Sequence, residues 1–305
     1  MKLRYIFLAF LLGLSAAVYH FVFDGSIPDE SDFILNLAEA RTLAAAPANE
    51  LPTAIHTEIL SKTPAPYFAL RAGGGFYRVF MARTVFQIMT PQGYYMIEAG
   101  MDKALAEMHK QADHFNPEVW GRIQDLLADA KGIMVTHEHP DHIGGIVRHR
   151  NPAKLADKLM LTKEQYDGLT RYTDGKTLPG GFRDYTPFSS DQMRRIAPGI
   201  VMIPARGHTA GSVIYYIKLA SGDEYLFIGD IAYTESNVVD GVDRARFVRW
   251  LMVDPEDRDA VINQLGALHD LTKSEPSLTI IPAHADELLA RLMSTGVIKE
   301  GFSQP

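Results

Sequence analysis

The segment His137-Glu138-His139-Pro140-Asp141-His142 constrains this chain more than any other. It places three imidazoles and two carboxylates within six residues, directly after the apolar run Gly132 to Thr136. Side chains two residues apart on an extended or loop-end backbone point the same way, so His137 and His139 can chelate one cation. Asp141 and His142 follow a proline and precede Gly144-Gly145, where a helix opens and the turn before it can swing a second ligand pair towards a second ion. The chain contains no cysteine. Disulfides, thiolate ligands and a cysteine nucleophile are thereby excluded, and any zinc must be held by nitrogen and oxygen.

Alone, this motif supplies too few ligands for two closed zinc spheres, so a metal reading demands more His and Asp at the ends of later strands. They are present. Gly207-His208-Thr209-Ala210-Gly211-Ser212 follows the apolar run Ile200 to Pro204, Gly229-Asp230 follows Tyr225 to Ile228, and His284 follows Thr279 to Pro282. Each sits just past the carboxyl end of a strand-like run, where open α/β folds place their ligands.

The rest of the pattern suits such a fold. Apolar runs with turn residues between them predict strands at Tyr67 to Arg71, Phe76 to Met81, Thr84 to Met89, Tyr94 to Glu98, Leu159 to Thr162, Ser212 to Leu219, Glu224 to Ile228 and Leu278 to Pro282. Helical spacing covers Met101 to His114, Pro117 to Ala130 with Asn116 as N-cap, Lys163 to Tyr172, Pro255 to Asp270 and Ala285 to Ser294. Strands, helices, strands, helices in that order predict an α/β (αββα) sandwich of two packed sheets with helices on both outer faces, built as two similar halves. With 305 residues, 47% of them hydrophobic, a substantial core is available.

Residues 1–23 carry Lys2 and Arg4 ahead of the apolar run Tyr5 to Phe23, which reads as a signal peptide, with Ser15-Ala16-Ala17 as its cleavage site, or as a membrane anchor. Either implies export: a periplasmic protein, or one anchored to the inner membrane and facing outward. Residues 24–66, rich in Ala, Pro and acids, are expected to form a tether with an accessory helix near Ser31 to Ala46, and residues 67–305 the main domain. The net charge of −7, carried by a chain with no basic cluster, disfavours nucleic-acid binding.

The ordered series of ligands resembles the metallo-β-lactamase fold superfamily of zinc hydrolases over roughly Tyr67 to Gly301. That resemblance implies two Zn²⁺ per chain, with His137, His139 and His208 on the first, Asp141, His142 and His284 on the second, and Asp230 with a hydroxide bridging them. It implies a hydrolase in which the bridging hydroxide attacks a substrate carbonyl that a zinc polarises, while Asp141 orients the hydroxide and carries a proton to the leaving group. His20, His56, His109, His114, His149 and His269 match no family position. The acceptors that hold the imidazole tautomers are not identifiable in the sequence.

Asp230 separates the members of that superfamily, because a bridging carboxylate is typical of its lactonases, glyoxalase II enzymes and phosphodiesterases, while the true β-lactamases lack it. Tyr233, three residues beyond Asp230, has a spacing similar to that in the acyl-homoserine lactone lactonases, where the corresponding tyrosine hydrogen-bonds the lactone carbonyl. The expected substrate is thus a small lactone or related ester with an apolar or acyl portion. Alternatives are a β-lactamase or glyoxalase II-like thioesterase on the same metal centre, or a non-catalytic or redox member of the fold. Glyoxalase II enzymes recognise their substrate through a basic carboxyl-terminal region, whereas here Arg291 and Lys299 are the only bases after His284. Tyr166 to Ser190, with Tyr172, Phe182, Tyr185 and Phe188, suggests a mobile aromatic lid or a loop with its own small core. Trp250 and Met252 are candidates for the pocket wall or for the core.

Overall fold

Alternate side chains of the central strands enter different cores, and this dictates a layered molecule. In Ile200–Pro204, Ile200 and Met202 pack in one apolar cluster and Val201 and Ile203 in another. In Val213–Lys218, Val213, Tyr215 and Ile217 join the first cluster, Ile214 and Tyr216 the second. Strands buried on both faces require a further layer on each side.

The computed structural model describes residues 2–303 other than 176, 179 and 252–255. Among these, the strands are β1 (Ala54–Pro66), β2 (Arg78–Thr90), β3 (Gly93–Ile97), β4 (Gly132–Met134), β5 (Arg194–Ala197), β6 (Ile200–Pro204), β7 (Val213–Lys218), β8 (Glu224–Gly229), β9 (Leu278–Pro282) and β10 (Lys299–Glu300). The helices are α1 (Lys2–Val18), α2 (Leu37–Ala44), α3 (Tyr67–Leu70), α4 (Lys103–Met108), α5 (Pro117–Asp129), α6 (Pro140–Val147), α7 (Lys163–Gly168), α8 (Glu235–Asp240), α9 (Arg258–Ser274) and α10 (Asp286–Ser294).

One five-stranded sheet has the order β10-β1-β2-β3-β4 and the other β5-β6-β7-β8-β9. Within them β1 to β4 and β6 to β9 repeat one scheme, two antiparallel pairings followed by a parallel one. The expected αββα sandwich with two similar halves is therefore present. The facing sheets bury Ile55, Phe86, Ile97, Met134, Tyr215 and Phe227 between them, with the rings of Phe86 and Phe227 at 4.8 Å. On the outer face of the first sheet, Leu60, Val85 and Met96 pack against Leu105, Ile123 and Ile143 of α4, α5 and α6. On the other side, Leu37 and Ala40 of α2 and Val261 and Leu265 of α9 cover the second sheet.

The tether expected over residues 24–66 stops short of Ala54, because residues 54–66 are β1, paired along its length with β2. Pro64 and Pro66 obscured this strand. They are tolerated because β10 pairs with β1 only at His56 and Thr57, which leaves the proline end as a sheet edge with no ladder donor required. Tyr67 to Arg71, read as a strand, is instead the one-turn helix α3 at the tip of the β1–β2 hairpin, and Phe76 to Met89 is a single strand from Arg78. An apolar run of four or five residues does not distinguish helix from strand by periodicity. Leu159 to Thr162 forms only isolated bridges, to Ile133 and Phe188. The accessory helix is present as α2, capped by Asn36.

Leu3–Phe23, made of α1 from Leu3 and the π-turn Tyr19–Phe23, is exposed as far as His20, half-buried at Phe21 and Val22, and long and apolar enough, by length and composition, to cross a membrane. At the other extreme of packing, α6 lies so close to the loop after β3 that a Cβ on Gly145 would sit 2.0 Å from the Ala99 carbonyl oxygen, and the Gly145 amide donates to the Gly100 carbonyl at 2.6 Å. Gly145→Ala must push α6 outward, and it should lower the unfolding free energy by about 1–3 kcal/mol in denaturant titrations. Wild-type stability in this variant would show that the close approach is not required.

Candidate metal centre

The ligand loops all leave the same edge of the sandwich. β4 ends three residues before His137, and His139 occupies the N-cap position of α6, with Pro140 in its first turn. That geometry turns Asp141 and His142 back towards the sheet ends as the helix begins. His208 lies in the turn between β6 and β7, Asp230 directly follows β8, and His284 follows β9. Gly229 has φ +55, a left-handed conformation that glycine adopts without strain, and a Cβ there would lie 2.8 Å from the Thr136 side chain.

The seven predicted side chains converge as two groups, His137, His139, His208 and Asp230 in one, and Asp141, His142 and His284 in the other, all buried. In the first group His139 Nδ1 is 3.0 Å from both His137 Nε2 and His208 Nε2. Nitrogens sharing a tetrahedral zinc at about 2.0–2.1 Å stand roughly 3.3 Å apart, so this convergence is of the right size. Asp230 faces both groups. Its Oδ2 lies 3.8 Å from His137 Nε2 and 3.5 Å from His208 Nε2, while its Oδ1 lies 3.5 Å from His142 Nε2 and 3.1 Å from His284 Nε2. Asp141 closes the second group, with Oδ2 3.6 Å from His284 Nε2.

These residues fit divalent cations on their own chemistry. His142 Nε2 and Asp230 Oδ1 are buried and make no hydrogen bond, which is costly for polar atoms with no other purpose. Burial holds His137 and His208 well below the usual imidazole value, in the neutral form that ligates metals. Burial acts the same way on His142, but Glu98, Asp141 and Asp230 outweigh it and raise that imidazole to about 10. A cation in the second group would replace that proton, since ligation requires the neutral ring. Burial opposes ionisation of Asp230, yet His284, His142 and His137 hold it well below the usual carboxylate range.

The acceptors hidden in the sequence now appear. Thr136 Oγ1 donates to Glu98 Oε1 at 2.6 Å and lies 3.1 Å from His137 Nδ1, and Glu98 Oε1 lies 3.2 Å from His142 Nδ1. His208 Nδ1 meets Glu256 Oε2 at 2.9 Å, and His284 Nδ1 meets the Ala82 carbonyl at 2.7 Å. Glu98 holds φ 70, uncommon for a residue with a side chain, which the Thr136 contacts and a backbone bond to the Met134 carbonyl sustain. Arg83 Nε donates to Asp141 Oδ2 at 3.0 Å. Arg244 pairs with Glu256, donates to the Asp230 carbonyl at 3.1 Å, and lies over the Tyr233 ring at 4.6 Å. Glu138 accepts from Thr209 Oγ1 at 2.6 Å and from the Gly211 amide at 3.1 Å, so the residue between two ligands ties their loop to that of His208. None of Arg83, Glu98, Arg244 or Glu256 lies in a motif, although Glu138 lies inside one.

A cavity of 280 Å³ opens over the two groups. His139, Asp141, Asp230, Tyr233, His284 and Arg83 line its polar side, and Ala65, Pro66, Leu70, Met81, Val248 and Leu251 its apolar side. Tyr233 stands edge-on to both groups, its ring 6.4 Å from that of His208 and 5.7 Å from that of His284. Of the two readings of Tyr166 to Ser190, a lid or a loop with its own small core, the described residues fit packing better than a lid. Phe182 and Tyr172 are buried in the core of the first half, Tyr185 Oη bonds the Leu161 backbone, and Tyr172 Oη donates to the Glu138 carbonyl. That segment braces the ligand loop instead of covering it. Val248 and Leu251 supply the wall that Trp250 was expected to share, Trp250 packs on Phe21 instead, and Met252 lies outside the described residues.

Ligand loops from two sheets meeting on a pair of facing His/Asp groups define a metal-binding αββα protein. The chain belongs to the beta-lactamase superfamily: the family model described as "Beta-lactamase superfamily domain" matches residues 95–281. No curated protein matches it by sequence. Among solved structures it is similar to a quorum-quenching N-acyl homoserine lactone lactonase, with 16% identity and TM-score 0.57 over 78% of this chain and 94% of that one. It is also similar to an N-acyl homoserine lactone hydrolase with N-hexanoyl-L-homoserine bound at its catalytic metal centre (14%, TM-score 0.58, 79% and 96%). A third is AidC, a dizinc quorum-quenching lactonase (13%, TM-score 0.55, 77% and 90%). At such identities the likeness is one of fold. Family and metal-binding groups together make this chain a metal-dependent hydrolase of the superfamily.

Glu256→Ala removes the acceptor of His208 and the partner of Arg244 together. Zinc affinity measured by competition with a chromophoric chelator should fall about 10–100-fold. Unchanged affinity would mean that Glu256 does not hold His208 for a metal.

Proposed function

We propose that the chain binds two Zn²⁺ and hydrolyses a lactone or related carboxylic ester with an apolar acyl portion. The observation that carries this reading is the Asp230 carboxylate, which lies between the two ligand groups, Oδ2 3.5 Å from His208 Nε2, Oδ1 3.5 Å from His142 Nε2 and both oxygens within 3.2 Å of His284 Nε2, with Tyr233 on the wall of the same cavity. The bound ions would supply a nucleophile at neutral pH, by lowering the pKa of a water, and Lewis-acid polarisation of the ester carbonyl.

The protein's own groups support the remaining steps. Burial, opposed by the charge of Arg244 and aided by those of Asp230 and Asp141, pushes the Tyr233 phenol well above its ordinary value, so it remains an O–H donor and can hydrogen-bond the oxygen that becomes negative as the carbonyl is attacked. Arg244 stacked on its ring fixes the direction of that donor. Asp141, ionised against the effect of burial by His142, Arg83 and His284, accepts the proton of the attacking water and returns it to the departing alkoxide. The acyl portion would lie on Ala65, Pro66, Leu70, Val248 and Leu251. These side chains offer no charge to a carboxylate or phosphate.

Purified full chain in detergent, loaded with zinc, should contain two zincs per molecule and turn over a lactone in preference to a β-lactam, a thioester or a phosphodiester. Preference for another member of that panel would reassign the substrate, and no turnover of any would sink the hydrolytic reading. Tyr233→Phe should lower kcat on the lactone about 100-fold with zinc content unchanged. Wild-type kcat in this variant would remove Tyr233 from the mechanism. Asp230→Ala should lose at least one zinc and most activity, and retention of both ions at full rate would contradict the bridging role.

A further inference from the structure

The six-residue turn Arg246–Leu251 touches two things at once. On one side Val248 and Leu251 line the cavity over the metal groups. On the other, the Trp250 ring packs on Phe21, 5.0 Å away, in the last turn of the apolar Leu3–Phe23 helix. That helix end is built into the domain. The Gly73 amide donates to the Val22 carbonyl at 3.2 Å, Arg246 holds the Asp24 carboxylate at 2.8 Å, Ser26 pairs with Val242, and the Asp243 amide donates to the Gly25 carbonyl at 2.9 Å.

At 1.5 Å per residue a span of 21 residues is about 31 Å long, close to the roughly 30 Å of a bilayer's hydrocarbon core. A membrane crossed by this helix therefore ends near Phe23 and Asp24, where the domain begins. The residues found there are apolar and uncovered. Trp250 is 60% exposed, Leu251 74%, and, in the hairpin arm that stacks on Phe247 through Phe68, Phe76 is 76% exposed. A tryptophan at the end of an apolar span is placed as membrane-interface aromatic residues are.

We infer that Leu3–Phe23 is retained as an anchor that holds the turn Arg246–Leu251, whose Val248 and Leu251 line the cavity and whose Trp250 and neighbour Phe76 are exposed, against the bilayer surface, so that an acyl-bearing substrate enters from the lipid. This rests on the ester-hydrolase reading for its chemistry but not for its geometry. An amphiphile dissolved in the bilayer would slide its acyl chain along Leu251 and Val248 with little exposure to water, and its polar ester would reach Tyr233 and Asp230 first from the headgroup side.

The chain has two tryptophans, and Trp120 packs against the core of the first half, so Trp120→Phe leaves Trp250 as the sole indole. The full chain carrying this change is reconstituted in phosphatidylethanolamine and phosphatidylglycerol vesicles that contain lipids brominated on the upper acyl chain. Bromolipid should quench Trp250 by about twofold, and aqueous acrylamide should quench it weakly. Absence of bromolipid quenching, or failure of the chain to float with the vesicles, would overturn the inference. With vesicle-bound enzyme, the double variant Phe76→Ser and Trp250→Ser should lower kcat/KM about tenfold for N-decanoyl-homoserine lactone and leave the N-butanoyl analogue unchanged. Equal effects on the two substrates would overturn entry from the lipid. If the parent enzyme hydrolyses neither lactone while Trp250 is still quenched, the lactone reading fails and the membrane-facing geometry stands.

Discussion

The Asp230 carboxylate lies between two groups of imidazoles and touches both, and most of the surrounding structure serves to keep it there. A buried carboxylate is costly unless countercharge and hydrogen-bond donors surround it. Here the imidazoles that face it come from strand ends of both sheets: His137 and His142 from the loop after β4, His208 from between β6 and β7, His284 from after β9. Without the first sheet, Asp230, which follows β8 of the second, would keep only His208 and His284 of these four. The site therefore depends on the sandwich closing, and this couples metal binding to folding.

Around that carboxylate the protein divides the work between its halves. The first half orients its ligands through Glu98, Thr136 and Arg83, the second through Glu256 and Arg244. Glu138 then crosses between halves, as its carboxylate accepts from Thr209 and Gly211 beside His208. Tyr172, packed in the core with Phe182, holds the Glu138 carbonyl from behind and so braces the ligand loop. Tyr233 and Arg244 complete the wall above, the guanidinium fixing both the ring and the Asp230 backbone. Access is left to the β1–β2 hairpin and the turn 246–251, which also receives the amino-terminal helix.

Most of the metal centre was legible in the sequence because its residues are local to strand ends. A strand followed at once by a short polar motif sends its side chains to one edge whatever the details of packing. His208, Asp230 and His284, each isolated in the chain, could be chosen from among the 11 histidines and many acids for that reason alone. The supporting residues had no such signal. Arg83 lies in the middle of β2 and Glu256 just ahead of α9, and neither neighbours a ligand along the chain. The strand β1 was hidden by prolines that only its edge position permits.

By itself, then, the sequence determined the ligand types, their order and the alternation of strands and helices, since these follow from side-chain chemistry and from apolar periodicity within short stretches. It also determined that any metal is held by nitrogen and oxygen, since there is no cysteine to do otherwise. The tertiary structure decided which carboxylates orient which imidazoles, that Tyr172 braces the Glu138 backbone, and that the amino-terminal helix ends against the turn that carries part of the cavity wall. Those are contacts between segments that lie 34 residues apart for Tyr172 and Glu138, 48 for His208 and Glu256, and further still for Phe21 and Trp250, and only the packing of the two sheets and their covering layers brings them together.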